Sequence, residues 1–128
     1  MMAPEERHYD VVVIGSGPSG RTVSLRLAKN SFSVALVESE LVGGDCAYWA
    51  CIPSKALLRP PEALMEARKV DGSRQAAQGL LSVESVLTRC DTFVDHWKDD
   101  KLTKVIEEGG VDIVRGQGNE ANTLLFLK

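Results

Sequence analysis

The sequence predicts an α/β chain built on a parallel sheet, and three observations carry that prediction. A β-branched run, Tyr9-Asp10-Val11-Val12-Val13-Ile14, leads without a break into Gly15-Ser16-Gly17-Pro18-Ser19-Gly20. A helical pattern follows over Arg21 to Lys29, with Val23, Leu25, Leu27 and Ala28 as its apolar members. A second strand-like run, Ser33-Val34-Ala35-Leu36-Val37-Glu38, then closes on an acid. Strand, glycines, helix, strand and acid in this order make a βαβ unit of about 30 residues. The uninterrupted apolar character of the first run suits a parallel strand buried on both faces.

Each element has a physical reason. Gly15 permits the tight turn out of the strand, Gly17 lets the backbone approach a pyrophosphate, and Gly20 allows the helix to pack closely on the strand. Phosphates would rest on the free N–H groups of the helix N-terminus, where Pro18 and Ser19 stand. Glu38 lies eighteen residues past Gly20, at the end of the second strand, where a carboxylate can accept hydrogen bonds from an adenosine ribose. An ordinary glycine-rich turn would explain the glycines but not the ordered strand, helix and acid around them. The expected fold is therefore a three-layer, Rossmann-like dinucleotide-binding domain.

The segment Gly43-Gly44-Asp45-Cys46-Ala47-Tyr48-Trp49-Ala50-Cys51-Ile52-Pro53-Ser54-Lys55 carries the chemistry. Two cysteines five residues apart can store an electron pair as a disulfide. In an uninterrupted α-helix such residues are rotated by about 140° and rise about 7.5 Å, too far apart for a relaxed disulfide. The helix must be distorted here or begin late. Pro53 supplies a cause, because a residue without an N–H is best tolerated in a first helical turn. Cys51 would then stand near a helix N-terminus, where the positive end of the dipole favours a thiolate. Two buried structural cysteines are the competing reading, since free cysteine is among the most buried residue types. A zinc site fails on ligand count: four ligands are needed, and only the scattered Cys90, His8 and His96 remain.

Gly15 to Gly20, Glu38, and Gly43-Gly44-x-Cys46 through Cys51-Ile52-Pro53-Ser54-Lys55 together resemble the amino-terminal FAD region of the class I pyridine nucleotide-disulfide oxidoreductases. That family includes dihydrolipoamide dehydrogenase, glutathione reductase and mercuric reductase. The resemblance covers nearly the whole chain. It implies that FAD is the dinucleotide, that Cys46 is the interchange thiol meeting a disulfide substrate, and that Cys51 sits against the flavin as the charge-transfer thiolate. It also implies that Lys55 lies near the flavin N5 edge, that Gly43 and Gly44 pass close to the FAD phosphates, and that Gly118, in Gly116-Gln117-Gly118-Asn119, offers its backbone near the adenine. Two departures stand out. Asp45 replaces a threonine whose hydroxyl is available to FAD, and Tyr48-Trp49-Ala50 replaces Asn-x-Gly between the cysteines. The two large rings either reshape the disulfide site or serve as packing, and no substrate is assigned.

The rest of the chain reads as a helical excursion over about 55–108. Lys55-Ala56-Leu57-Leu58 runs until Arg59-Pro60-Pro61 interrupts it, Glu62 to Val70 resumes, and Asp71-Gly72-Ser73 makes a turn. Val83, Val86, Leu87, Cys90, Phe93, Val94 and Trp97 recur at helical spacing, with Leu102, Val105 and Ile106 extending the face until Gly109-Gly110 stops it. Cys90 is expected as a small core residue and His96 as a solvated residue on a helix face. Val111 to Val114 and Thr123 to Leu127 read as further strands.

Composition bounds the remainder. A chain of 128 residues supports one domain. A net charge of -3 with signs interspersed gives no basic patch for nucleic acid. No apolar stretch approaches membrane-spanning length, and Met1 to His8 is unlike a signal peptide. Three cysteines, an odd count, argue against a secreted disulfide scaffold, so the expected location is cytoplasmic. The resembling enzymes continue into an NAD(P)H domain and a dimerisation domain, and no second glycine fingerprint occurs in this sequence. The chain therefore reads as the first portion of a homodimeric enzyme, with NAD(P)H acting only in the complete protein and little turnover expected from this portion alone. Two alternatives stand beside that reading. One is a catalytically incompetent FAD-binding module; the other is an NAD-dependent Rossmann dehydrogenase, which lacks a Tyr-x-x-x-Lys pair and leaves the cysteines unexplained.

Overall fold

The computed structural model describes residues 7–118. They run β1 (Val11–Ile14), α1 (Pro18–Lys29), β2 (Val34–Glu38), α2 (Gly44–Tyr48), α3 (Cys51–Lys69), α4 (Ser73–Ala76), α5 (Val83–Phe93), α6 (Asp100–Glu108) and β3 (Val111–Arg115). The chain forms two compact units: one made by the residues up to Gly44 and those from Asp99 onward, the other by Asp45–Lys98.

In the first unit the strands pair in parallel in the order β1-β2-β3. Val11 stands opposite Val34, and Val34 opposite Val111. The register is set where β1 and β2 begin. The Ser33 N–H and hydroxyl both donate to Asp10 Oδ2 at 2.7 Å, and the Asp10 N–H donates to the Ser33 carbonyl at 3.0 Å. Because successive strand residues point to opposite faces, Val34 and Leu36 share a face with Val13, Val111 and Ile113. That face forms the core, with Val42 and Ile106 fully buried against it and Leu25, Leu27, Ala28 and Leu102 from α1 and α6 packed on it. Leu102 and Ile106 are four apart on α6, one turn of the same stripe.

Burial on both faces holds for β2, where Val34, Ala35 and Leu36 are all buried, but not for β1, whose Ile14 is 49 % exposed. The reason is position. Among the described residues β1 is an edge strand, and Val12, Ala35, Val37 and Val114 line an open cavity of about 440 Å³ on the face away from α1 and α6.

The second unit is helical, and two expectations need correction there. The helix continues through Pro60 and Pro61 instead of stopping. Each proline removes one hydrogen bond, yet its fixed φ is itself helical, and α3 packs along α5 across the gap. Arg59 reaches Glu62 and Glu66 at 3.9 and 3.5 Å over the same stretch, exposed ion pairs of small energetic weight. The long face from Val83 to Ile106 is not one helix but two, α5 and α6, which belong to different units. Asp95, His96 and Trp97 all adopt positive φ, from 51° to 54°, in a left-handed turn. No glycine or proline marks that turn, so apolar spacing runs through it unbroken. His96 is exposed as expected, in this turn and not on a helix face, and Cys90 is buried in α5. The strand expected over residues 123–127 lies outside the described residues.

Candidate functional site

The glycine loop is shaped as its residues demand. Gly15 has φ of +91° and donates its N–H to the Val37 carbonyl at 2.8 Å, turning the chain off β1. A Cβ on Gly20 would fall 1.9 Å from the Gly15 carbonyl oxygen, so α1 is seated as close to the loop as backbone allows. Gly17 is the N-cap of α1, no side chain caps the first turn, and a Cβ there would meet nothing within 4 Å. Pro18 occupies the first helical position with Ser19 exposed after it, so the N–H groups of Ser19 and Gly20 lie in the turn that has no intrahelical partners. Gly44, at φ +66°, passes so close that a Cβ on it would fall 2.9 Å from Gly17 Cα. Gly118 rests on the ends of β1 and β2, where a Cβ would lie 3.1 to 3.2 Å from Ile14 and Val37.

Ser16, to which the glycine pattern assigns no role, holds this arrangement together. It is fully buried. Its hydroxyl donates to Glu38 Oε2 at 2.5 Å and accepts the Gly43 N–H at 3.0 Å, while its own N–H donates to the same carboxylate oxygen at 2.9 Å. The Glu40 N–H donates to Glu38 Oε1 at 2.9 Å. Burial pushes the Glu38 carboxyl up, but the hydrogen bonds from Ser16, Glu40 and Ser39 more than offset it and hold the group below its ordinary range. Glu38 thus sits against the loop, as expected, with its oxygens turned first to the protein's own donors. Two oxygens offer about four lone-pair sites, and the Ser16 hydroxyl and N–H with the Glu40 and Ser39 N–H groups occupy them, so an external hydroxyl has to displace or share one of these donors.

A second clamp was equally invisible in the sequence. Asp99 Oδ2 accepts the Val42 N–H and an Arg115 Nη1–H, each at 2.6 Å, and Arg115 also donates to the Glu40 carbonyl and Thr103 Oγ1 at 3.0 Å. The segment from Glu38 to Gly43 is therefore held by partners far away in sequence, with no local motif to announce them. Burial raises the Asp99 carboxyl, and the bonds from Arg115 and Val42 outweigh that, leaving it depressed. Asp99→Ala is expected to cost roughly 1–3 kcal/mol, the range for a partly buried hydrogen bond to a charged group. Because the folded-state pKa is lowered, the contribution is complete above the ordinary aspartate range near pH 4 and is lost as pH falls through the depressed value. Urea melts of parent and variant should diverge at pH 7 and converge in acid; equal stability at pH 7 would remove Asp99 from the clamp.

In the second unit, the helix distortion required by the cysteine spacing is present. The Asp45 carbonyl accepts both the Trp49 and Ala50 N–H groups, at 2.8 and 2.7 Å, and the chain breaks at Ala50, with φ −124° and ψ −92°. α3 then begins at Cys51, and Pro53 falls within its first turn, where its missing N–H has no intrahelical partner to lose. The break brings the thiols together. The side chains of Cys46, half-buried, and Cys51, exposed, are in hydrogen-bond contact. That bond, aided by burial and by the neighbouring Cys51 charge, pushes the Cys46 thiol up, against the opposing pull of Lys55. Lys55 follows Cys51 by one helical turn and is exposed, as is Asp45. Of the two rings between the cysteines, Tyr48 is 4 % exposed and Trp49 is 47 % exposed. Cys90 Sγ approaches the Pro53 carbonyl at 3.8 Å. Among the described residues no cluster of three His, Cys, Asp or Glu could hold a metal ion, and no helix is long and apolar enough to cross a membrane.

Comparison with known proteins converges on one family. Residues 9–122 match the family described as pyridine nucleotide-disulphide oxidoreductase. A dihydrolipoyl dehydrogenase from Bacillus subtilis is 34 % identical over 92 % of this chain and 25 % of its own length. A mercuric reductase from Staphylococcus aureus is 32 % identical over 87 % of this chain and 20 % of its own. Among solved structures, the HOCl-induced flavoprotein disulfide reductase RclA from Escherichia coli superposes with a TM-score of 0.61 at 25 % identity, over 85 % of this chain and 22 % of that protein. The chain spans about a quarter of the length of the relatives it matches.

Proposed function

Because the chain belongs to the pyridine nucleotide-disulphide oxidoreductase family, we propose that it supplies the FAD-binding, dithiol-bearing portion of a flavin-dependent disulfide oxidoreductase. The observation that carries this reading is the Cys46-Cys51 pair, held in mutual contact at a helix start and following a glycine loop in the same chain.

The glycine loop fits a dinucleotide on its own geometry. The space in front of Gly17 is open, the first turn of α1 has no side-chain cap, and Gly44 runs alongside with no side chain to intrude. In this reading the Ser19 and Gly20 N–H groups take a phosphate of FAD, with Pro18 fixing the turn that aims them. Gly15 and Gly43 shape the backbone on either side, and Glu38 takes a ribose hydroxyl in exchange for one of its present donors. Gly118 offers backbone near the adenine, Lys55 faces the isoalloxazine, and Asp45 joins the cofactor-binding residues at the position of the family's threonine. Bound FAD supplies two-electron transfer between a nicotinamide and a dithiol. The chain's own thiols divide the remaining work: Cys46 exchanges with the disulfide substrate, and Cys51 closes back onto Cys46. In the longer protein, NAD(P)H is the electron source, a small-molecule or protein disulfide the acceptor, and a homodimer the working form. A cytoplasmic location belongs to the same reading, on the odd cysteine count.

Titration of FAD with this chain, followed by flavin fluorescence, should saturate. Gly17→Trp should weaken binding by roughly tenfold or more, since the indole fills the space where charge-assisted phosphate bonds form. Equal affinity in the variant would show that the loop does not hold the phosphates.

A further inference from the structure

The two rings between the cysteines have different roles. Tyr48 is buried, its hydroxyl donates to the Lys98 carbonyl at 3.4 Å, and its ring meets Trp49 edge-on with centroids 5.8 Å apart at 61°. Tyr48 is thus the fixed partner, and an edge-to-face contact of this kind holds its neighbour in place. Trp49 keeps 47 % of its surface open. Its N–H closes the last turn of α2 onto the Asp45 carbonyl at 2.8 Å, which puts Trp49 three residues beyond Cys46 on one helical turn. Residues so spaced share a face. A large, flat, apolar ring, in edge contact with a buried tyrosine, therefore lies one helical turn beyond the half-buried Cys46 and on the same face of that turn.

We propose that Trp49 is a specificity-determining residue that selects disulfides flanked by planar, uncharged groups. The proposal rests on the reading of Cys46 as the interchange thiol. The Cys46 thiolate attacks one sulfur of an aryl disulfide; a Cys46–aryl mixed disulfide forms, the aryl S–S bond breaks, and one arylthiolate leaves with the electron pair. The Cys51 thiolate then attacks the Cys46 sulfur, forming the Cys46-Cys51 disulfide and releasing the second arylthiolate. The substrate gains two electrons, the dithiol loses them, and the two thiol protons pass to water. Trp49 acts in the first attack by stacking the aryl group while the sulfurs align.

This half-reaction needs neither flavin nor nicotinamide, so the reduced 128-residue chain tests it directly. Release of thiol from 4,4'-dithiodipyridine and from hydroxyethyl disulfide would be followed by stopped flow for the parent, Trp49→Ala, Trp49→Leu and Trp49→Phe. Comparing variants on each disulfide cancels the difference in leaving groups. Trp49→Ala and Trp49→Leu should each slow the aryl reaction about three- to tenfold, the worth of one aromatic contact, and leave the aliphatic rate within about twofold. Trp49→Phe should restore most of the aryl rate. Equal slowing of both disulfides, or no change in either, would overturn the proposal. Cys46→Ser separates it from the reading beneath: a first release as fast as the parent's in that variant sinks the interchange assignment, whereas an aryl rate that requires Cys46 but is unchanged in Trp49→Ala sinks only the role of Trp49.

Discussion

Gly20→Val should destabilise the first unit by about 3 kcal/mol or more, the upper range for overpacking, and lower its melting midpoint by on the order of 10 °C for a chain of this size. The cause is local and unforgiving. The first added carbon would lie 1.9 Å from the Gly15 carbonyl oxygen and 3.4 Å from Val13 Cγ1. The oxygen cannot retreat, because Gly15 is already committed to φ +91° and tied to Val37. Relief must come from moving α1 off the sheet, which uncovers Leu25, Leu27 and Ala28 and the core they close. Gly17→Ala should be far milder, since its Cβ meets nothing within 4 Å. Thermal melts of the two variants check the contrast, and comparable stability would mean that helix and strand are not in the close contact described.

Cys51→Ala should abolish the second half of disulfide exchange while leaving the first. With the resolving thiol gone, one equivalent of thiol is released in place of two, and the mixed disulfide on Cys46 persists. Its resolution should slow by roughly a thousandfold or more, because an intramolecular partner is worth a very high effective concentration. The same variant has a pH signature. The hydrogen bond with Cys51 is the largest cause holding the Cys46 thiol above its ordinary range. Removing that partner should move the alkylation midpoint of Cys46 to lower pH, making it reactive where the parent's thiol is still protonated. Mass spectrometry of iodoacetamide adducts between about pH 7 and 11 spans the ordinary thiol range. A midpoint that stays or rises would show that Cys51 is not the partner.

Much of this was legible from residues alone because the relevant constraints are local. The sequence by itself determined the parallel βαβ unit, since strand, glycine turn and apolar helix each follow from near neighbours. It determined the late start of α3 as well, since a five-residue cysteine spacing and Pro53 leave a regular helix no way to join the thiols. Only the tertiary structure decided the rest. α5 and α6 read as one helix because a left-handed turn over Asp95, His96 and Trp97 needs no glycine when surrounding contacts impose it. The prolines of α3 were tolerated for a related reason, the packing against α5 outweighing two lost hydrogen bonds. Tyr48 and Trp49 are adjacent and both aromatic, yet one is buried and the other half open, a distinction that depends on what each ring meets. The clamps of Ser16 on Glu38 and Gly43, and of Asp99 on Val42 and Arg115, join residues 16 to 57 positions apart. A hydrogen bond over such a separation leaves no periodicity or motif behind, because its partners are chosen by the fold that brings them within 3 Å.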